Sequence, residues 1–210
     1  METALKNLYD CVLEGDLGQA KPRVQAAIDT GLPASRILNE SLIAPMSEVG
    51  RLFEEGEYFV PEMLVSARTM QSALEILKPH LVAGGVEAIG KVILGTVRGD
   101  QHDIGKNLVG MMMEGAGFEV IDLGVDVAPS KFIDAITDDT DIIGLSALLT
   151  TTMPAMGTTI KAIADAGLRD KVKIIIGGAP VTQAYADAIG ADGFAKDASQ
   201  AASLAKSLIA

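Results

Sequence analysis

From Lys91 onward, short β-branched segments alternate with segments of helical periodicity, and this alternation restricts the fold more than any other feature. The predicted strands are Lys91–Val97, Phe118–Leu123, Asp141–Ser146, Val172–Ile176 and Gly193–Ala195. The predicted helices between and after them are Ile104–Gly115, Ser130–Thr137, Met153–Ala166, Val181–Ile189 and Ser199–Ile209. Strict strand–helix alternation predicts a parallel sheet with helices on both faces. We expect an α/β fold with a doubly wound, Rossmann-type five-stranded sheet. The flavodoxin-like order 2-1-3-4-5 suits it, although the sequence alone does not fix strand order.

The part of the chain before this alternation has helical periodicity only. Four apolar patterns with short connections predict an antiparallel four-helix bundle. Pro22 suits a first helical turn, Pro45 predicts a kink, and Pro79 predicts the end of the fourth helix. We therefore expect an all-α domain over residues 1–85, followed by the α/β domain over residues 90–210.

The charge and cysteine content exclude several classes of function. The formal net charge is −11, which argues against nucleic acids and anionic membranes as partners because both are negative. Cys11 is the only cysteine, so neither an intramolecular disulfide nor a thiolate zinc site is possible. No apolar stretch approaches the ~20 residues that span a bilayer. A cytoplasmic location is the expectation.

The loop after the first predicted strand contains His102, one of two histidines in the chain. Ligands of open parallel sheets bind at the carboxyl ends of the strands, which is where this loop lies. Asp100 can accept a hydrogen bond from the imidazole Nδ1–H, which leaves Nε2 available to a metal. Gly105 permits close approach of a bulky group. Because His and Cys residues are too few for a conventional metal site, a metal at His102 requires a cofactor that brings its own ligands, and a macrocycle meets that requirement.

Two further elements follow the loop at characteristic distances. Ser146-Ala147-Leu148 follows Gly105 after 40 residues (106–145), and Gly177-Gly178 follows Leu148 after 28 (149–176). With Asp100-Gln101-His102-Asp103-Ile104-Gly105, they resemble the Asp-x-His-x-x-Gly, Ser-x-Leu and Gly-Gly signature of the cobalamin-binding domain. Methionine synthase, corrinoid methyl carriers and some mutases share that domain.

The resemblance implies a role for each matching residue. His102 would be the lower axial ligand of cobalt in place of the cofactor's own benzimidazole, with Asp100 hydrogen-bonded behind it. Ser146 would bind the base of the displaced nucleotide tail, and a hydroxyl near the Ser-x-Leu would join the Asp–His pair, with Thr152 as the best match and Thr150 close by. The remaining residues expected to contact the cofactor are Gln101, Asp103, Ile104, Gly105, Leu148, Gly177, Gly178 and Ala198.

The helical half resembles the four-helix cap that precedes the cobalamin domain in methyl carriers. The segment Phe53–Leu64 carries this similarity, and Phe59 and Met63 would shield a cobalt-bound methyl group; packing in the bundle core is the other interpretation of both. The implied function is a carrier of methylcobalamin and cob(I)alamin, not an enzyme by itself. It would shuttle methyl groups between a substrate-specific corrinoid methyltransferase and a second methyltransferase that serves tetrahydrofolate or coenzyme M, with a reductive activator.

Three other functions remain open at this point. A cobalamin-dependent sensor would share the cap and fold but usually adds a DNA-binding domain. The small subunit of an adenosylcobalamin mutase would leave the helical half unexplained. A two-component receiver domain shares the fold, but the Ser-x-Leu and Gly-Gly spacing argues against it. Each signature element also has a local structural interpretation, such as strand termination at Gly177-Gly178 or helix capping by Thr150–Thr152.

Overall fold

The helices of the first half follow the apolar periodicity of the sequence. The computed structural model describes residues 2–210. Apolar residues at helical spacing, such as Leu5, Leu8 and Val12, are buried in the core of this half. The segments are α1 (Thr3–Leu13), α2 (Leu17–Asp29), α3 (Ala34–Leu38), a π-helical turn (Asn39–Ile43), α4 (Ala44–Glu54) and α5 (Val60–Ala83).

The three prolines of this half behave differently. Pro45 is the second residue of α4, and the π-helical turn directly before it interrupts the regular helix, as predicted. The predictions for the other two are wrong. Pro22 lies inside α2 instead of in its first turn, and Pro79 lies inside α5, which continues to Ala83. Leu77 and Leu81, on either side of Pro79, are both buried, so packing of the last turn offsets the hydrogen bond that proline removes.

The second half forms the alternating structure that the sequence predicts. Its strands are β1 (Lys91–Thr96), β2 (Glu119–Asp122), β3 (Ile142–Ser146), β4 (Lys173–Gly177) and β5 (Gly193–Ala195). Its helices are α6 (Ile104–Gly115), α7 (Pro129–Ala135), α8 (Pro154–Asp165), α9 (Gln183–Ile189) and α10 (Ala198–Ile209). All strand pairs are parallel, and the order β2-β1-β3-β4-β5 is the flavodoxin-like order.

Successive residues of the strands face opposite sides of the sheet, so both faces are packed. On one face, Ile93 and Ile143 lie in a buried cluster with Phe132 of α7 and Met156 of α8. On the other face, Leu94 is in register with Gly144, which is in register with Ile175 and then Gly193. Gly110 of α6 lies against Leu94, and Leu204 of α10 lies against Gly193. Helices therefore cover both faces, as a doubly wound sheet requires.

The chain divides into two compact units. One comprises the residues up to Ala88 together with Glu114–Gly117, and the other comprises Ile89–Met113 and Phe118–Ala210. Between residues 2 and 210, no helix is both long and apolar enough to cross a membrane.

Candidate cofactor site

The carboxyl ends of four neighbouring strands form a row of small side chains. Thr96 of β1 is in register with Ser146 of β3, Ser146 with Gly177 of β4, and Gly177 with Ala195 of β5. Parallel strands lie about 4.8 Å apart, so the register fixes the spacing of these positions. The loop that contains His102 follows β1 at this same edge. The sequence elements that are far apart in the chain are therefore brought to one edge of the sheet.

The Asp100 side chain is the centre of a dense hydrogen-bond network. It is completely buried, and Oδ1 accepts from the backbone N–H of His102 at 3.0 Å and interacts with its ring Nδ1 at 2.7 Å. Oδ2 accepts from the Thr152 hydroxyl at 2.6 Å and the Leu148 N–H at 2.8 Å, with a longer contact of 3.4 Å from the Leu149 N–H. Both carboxylate oxygens thus have at least two close donors, which compensates for the burial of a charge.

Burial of Asp100 opposes its ionisation, but the hydrogen bonds favour the charged form and outweigh this effect. The donors are the Thr152 hydroxyl, the backbone N–H groups of His102 and Leu148, and the His102 ring. Together they hold the pKa of the Asp100 carboxyl well below its usual range. Asp100 is therefore a carboxylate at neutral pH, and it accepts hydrogen bonds without donating any.

His102 is oriented by this carboxylate. Because ionised Asp100 only accepts, the proton between the two groups belongs to His102 Nδ1, and in the neutral ring Nε2 carries the lone pair. The backbone carbonyl of His102 also accepts from the buried Thr96 hydroxyl at 2.8 Å. The His102 side chain is nonetheless 50% exposed. The result is a half-exposed imidazole with a fixed tautomer and a metal-binding nitrogen, a common arrangement for a metal-ligating histidine.

Of the two threonines considered as the hydroxyl partner, the structure brings Thr152 to Asp100. Its hydroxyl donates to Asp100 Oδ2, whereas Thr150 is exposed in the same loop. The Thr152 side chain is buried, so its hydroxyl is part of the structure behind the imidazole.

Gly177 and Gly178 are constrained by the chain itself. A Cβ at Gly178 would lie 1.8 Å from the Ala147 carbonyl oxygen, and its φ of +136° excludes most side chains. A Cβ at Gly177 would lie 3.2 Å from the Ala195 carbonyl oxygen, which a small shift could accommodate. The backbone of β4 therefore approaches the segment after β3 closely, and no side chain fills the edge at these positions.

The other predicted residues of this half lie at the same edge with different exposures. Ile104 is 83% exposed and Leu148 is 42% exposed, so two apolar side chains flank the imidazole loop. Gln101 and Gly105 are exposed, Asp103 and Ser146 are half-buried, and Ala198 is buried at the start of α10. A Cβ at Gly105 would meet only open space.

Phe59 and Met63 lie in the helical unit and differ strongly in exposure. Phe59 directly precedes α5 and is 63% exposed, whereas Met63 is completely buried among the core residues of that unit. The environment of Met63 is that of a bundle-core residue. A contact of either residue with a cofactor stays a prediction.

The sequence patterns did not indicate three features at this edge. Leu149 is 44% exposed and adds a third apolar side chain beside Ile104 and Leu148. Lys106, in the first turn of α6, is buried, and its Nζ contacts the Asp122 carboxylate at the end of β2. Asp126, in the loop after β2, contacts the backbone of the His102 loop. Their positions after strands at the carboxyl edge are a signal, but many surface residues share it.

The donor set restricts which metal group this site accepts. Among residues 2–210, no group of three or more His, Cys, Asp or Glu side chains is arranged to hold a metal ion. One imidazole from the protein is enough only for a metal whose other ligands come from a macrocycle. Three exposed apolar side chains around the imidazole suit the face of such a ring. The residues present therefore fit a corrinoid.

Comparison with protein families gives two matches. Residues 90–203, more than half of the chain, match the family model of the B12 binding domain. Residues 4–78 match a second family model with the same description, B12 binding domain. The matches include the His102 loop, the Ser146 segment and the Gly177-Gly178 pair.

Known proteins resemble the chain over nearly its full length. Dimethylamine corrinoid protein 3 of Methanosarcina acetivorans is 40% identical over 209 residues, 98% of each chain. A cobalamin-binding protein from Desulfitobacterium hafniense has a TM-score of 0.79 and 32% identity, and the match covers 98% of each chain. A chain of the methanol:cobalamin methyltransferase complex of Methanosarcina barkeri has a TM-score of 0.88 and 28% identity over 99% of this chain and 80% of that one. The chain therefore belongs to the family of B12-binding corrinoid proteins, and a corrinoid is its cofactor.

Proposed function

We propose that this protein carries methyl groups on a corrinoid that is bound with His102 as the lower ligand of cobalt. It works within a methyltransferase system, as the names of its relatives indicate for those proteins. When bound, the corrinoid supplies a cobalt centre whose reduced form is a strong nucleophile toward methyl groups. The chain's own residues bind this group, orient its lower ligand and tune it.

One observation carries the proposal: the buried, ionised Asp100 holds the ring of half-exposed His102 at Nδ1. A carboxylate behind the imidazole raises the electron density at Nε2 and fixes the ring orientation, which strengthens metal ligation. Thr152 and the Leu148 N–H keep this carboxylate in place from the other side.

The row Thr96, Ser146, Gly177 and Ala195 supports a binding role for the rest of the cofactor. These side chains are small or absent, and all lie at the carboxyl edge, where ligands of such sheets bind. Within the proposal, the nucleotide tail displaced by His102 lies along this row. Ser146 offers the base a hydroxyl, and Gly177, Gly178 and Ala198 leave room for the tail.

The transfer steps belong to partner enzymes. Among residues 2–210, the site has an imidazole and a buried carboxylate but no acid, base and nucleophile set of its own that would activate a methyl donor. A substrate-specific corrinoid methyltransferase would load the methyl group. A second methyltransferase would pass it to an acceptor such as tetrahydrofolate or coenzyme M, and a reductive activator would restore oxidised cobalt.

Electron paramagnetic resonance tests the His102 ligand directly. Protein labelled with ¹⁵N is reconstituted with unlabelled hydroxocobalamin and reduced to the cobalt(II) state. If His102 is the ligand, ¹⁵N labelling converts the three-line nitrogen splitting of the axial ligand into two lines. A three-line pattern in labelled protein would mean that the cofactor's own base ligates cobalt, which contradicts the proposal.

The chain provides a matched control for this experiment, because its only other histidine is His80. His80 is exposed in α5 of the helical unit. We expect His80→Ala to keep the two-line pattern and His102→Ala to lose it. Loss in both variants, or in neither, would exclude His102 as the ligand.

Isotope transfer tests the carrier role. The reduced holoprotein is incubated with ¹³C-dimethylamine and the methyltransferase that serves the dimethylamine corrinoid protein of Methanosarcina acetivorans, and in parallel with methanol and methoxyaromatic systems. We expect one of these systems to transfer label to the corrinoid fraction. No transfer from any donor, together with a light-dependent change in oligomeric state, would instead support a sensor.

A further inference from the structure

The loop between β2 and α7 contains an unusual backbone conformation. Asp126 has a φ of +51°, and among the residues that the structure describes it is the only non-glycine residue with positive φ. This region is unfavourable for residues with a Cβ, although Asp and Asn tolerate it better than most. Such a conformation persists where the surrounding contacts require it.

The contacts of Asp126 are all with the segment that leads to His102. Its backbone N–H donates to the Asp100 carbonyl at 2.9 Å, and its carboxylate Oδ1 accepts from the Gly99 N–H at 2.7 Å. Asp126 therefore holds the backbone on both sides of the bond that joins Gly99 to Asp100. The positive φ allows the backbone N–H and the side chain to engage this segment at the same time.

The neighbours of Asp126 continue the connection to β1. The Val127 N–H donates to the Thr96 carbonyl at 2.9 Å, and the Thr96 N–H donates to the Gly124 carbonyl at 3.0 Å. Val127 also forms a parallel bridge with Val97. The loop after β2 is thus fixed to the end of β1, so Asp126 has a rigid base from which to hold the next residues.

We infer that Asp126 is a positioning residue of the corrinoid site. It holds the backbone of Gly99 and Asp100 so that the Asp100 carboxylate can orient the His102 ring before the cofactor binds. This inference rests on the proposed function for its consequence, which is tighter corrinoid binding. Its first step, the orientation of the ring, concerns only contacts within this chain.

Three substitutions separate the hydrogen bond from the backbone conformation. Asp126→Asn keeps an acceptor oxygen and tolerates positive φ, Asp126→Gly keeps the conformation but removes the acceptor, and Asp126→Ala disturbs both. The matched control is Asp170→Asn, which changes an exposed Asp in the segment before β4, at the opposite edge of the sheet. Thermal melts establish that each variant is folded, and Asp126→Gly is the deciding variant if Asp126→Ala is not.

Two readouts are measured on each variant. The first is nuclear magnetic resonance of the full-length protein without cofactor, which reports the Nδ1–H tautomer of His102 and the exchange protection of the Gly99 amide. The second is the affinity for hydroxocobalamin. We expect Asp126→Gly and Asp126→Ala to lose the Gly99 protection and to mix the tautomers. Their affinity should fall about tenfold, the lower end of the range for groups that orient metal ligands. Asp126→Asn and Asp170→Asn should resemble the wild type.

The outcomes distinguish failure of this inference from failure of the proposed function. Unchanged tautomer, amide protection and affinity in Asp126→Gly would overturn the positioning role. If the tautomer changes in Asp126→Gly but wild-type protein lacks the ¹⁵N splitting from His102, Asp126 still orients the ring and His102 ligation fails. A fall in affinity with an unchanged tautomer would also contradict the inference, because Asp126 would then act by another route.

Discussion

Asp100 and His102 form a pair in which burial and exposure are separated by two residues. The carboxylate is completely buried, while the imidazole that it holds is half exposed. The buried member depends on the donors that surround it, since each missing hydrogen bond to a buried charge destabilises the folded state. The contribution of each donor can therefore be measured through stability as well as through cofactor binding.

Thr152→Val removes the shortest of these hydrogen bonds without changing the shape of the side chain. We expect the free energy of unfolding to fall by about 1–3 kcal/mol, because Asp100 remains charged and loses a buried donor. Urea denaturation of the protein without cofactor measures this change.

Thr150→Val is the matched control, because Thr150 is exposed in the same loop. Its unfolding free energy should stay within about 0.5 kcal/mol of the wild type. Equal effects of the two substitutions would mean that the hydroxyl of Thr152 does not support Asp100.

Gly178→Ala tests whether the close approach of β4 to the segment after β3 is required. The new Cβ would lie 1.8 Å from the Ala147 carbonyl oxygen at a positive φ, so we expect a loss of about 3 kcal/mol or more in unfolding free energy. Gly157→Ala, in the middle of α8 with only ordinary contacts to Ile189, should instead be neutral or stabilise by up to about 1 kcal/mol. A stable Gly178→Ala protein would show that the two backbones can separate at little cost.

At this scale, the sequence predicted residues that lie in motifs and missed those that depend on backbone shape. The spacing of Asp100, Ser146 and Gly177 relative to the strands was sufficient to bring them to one edge. The partner hydroxyl could be narrowed only to Thr150 or Thr152, since one turn of loop geometry decides between them. Asp126 could not be predicted, because its contacts require a positive φ that its residue type permits but does not demand.

At the scale of the secondary-structure elements, α6 begins with a buried ion pair. The Lys106 side chain is 3% exposed, and its Nζ contacts the Asp122 carboxylate of β2 and the Asn107 side chain at 2.8 Å. The Asp122 side chain is 44% exposed and also accepts from the Gly124 N–H. The pair links the first turn of the helix after His102 to the end of the neighbouring strand.

Substitution of each partner should have unequal effects. Lys106→Met replaces the buried charge by an apolar side chain of similar length, so we expect a loss below about 1 kcal/mol in unfolding free energy. Asp122→Asn leaves the ammonium group buried without its carboxylate, and we expect a loss of about 1–2 kcal/mol, reduced by the exposure of Asp122. A double-mutant cycle by urea denaturation checks this, with the double variant resembling Lys106→Met. Additive losses would mean that the two groups do not interact.

The elements also show where apolar periodicity succeeds and where proline rules fail. The bounds of β5 and α6 were predicted without error, because short β-branched or aromatic segments and a long amphipathic pattern each favour one structure. The end of α5 was predicted too early, because local rules give Pro79 a cost but not the compensating burial of Leu81. Tertiary packing of this kind is absent from any local pattern.

At the scale of the whole molecule, the residues that would bind the corrinoid in the second half lie within the unit Ile89–Met113 and Phe118–Ala210. A ligand that binds only the folded state stabilises it according to its concentration relative to the dissociation constant. Hydroxocobalamin at a hundred times its dissociation constant should therefore raise the unfolding free energy by about 2.7 kcal/mol. Hydrogen exchange measured by mass spectrometry on the full chain should show this protection in the strands of that unit. No change in wild-type protein, or the same change in His102→Ala, would argue against binding through His102.

The row from Thr96 to Ala195 also sets a minimum length for what this edge can recognise. Three strand spacings separate its ends, which gives a span of about 14 Å. A compact ligand can occupy one end of such a row but not both, so selectivity here would come from reach as well as from functional groups. A corrinoid without the nucleotide arm, such as cobinamide, would still meet His102 but leave the far end at Ala195 in water. The fold would then act as a gauge that distinguishes complete cofactors from their truncated precursors.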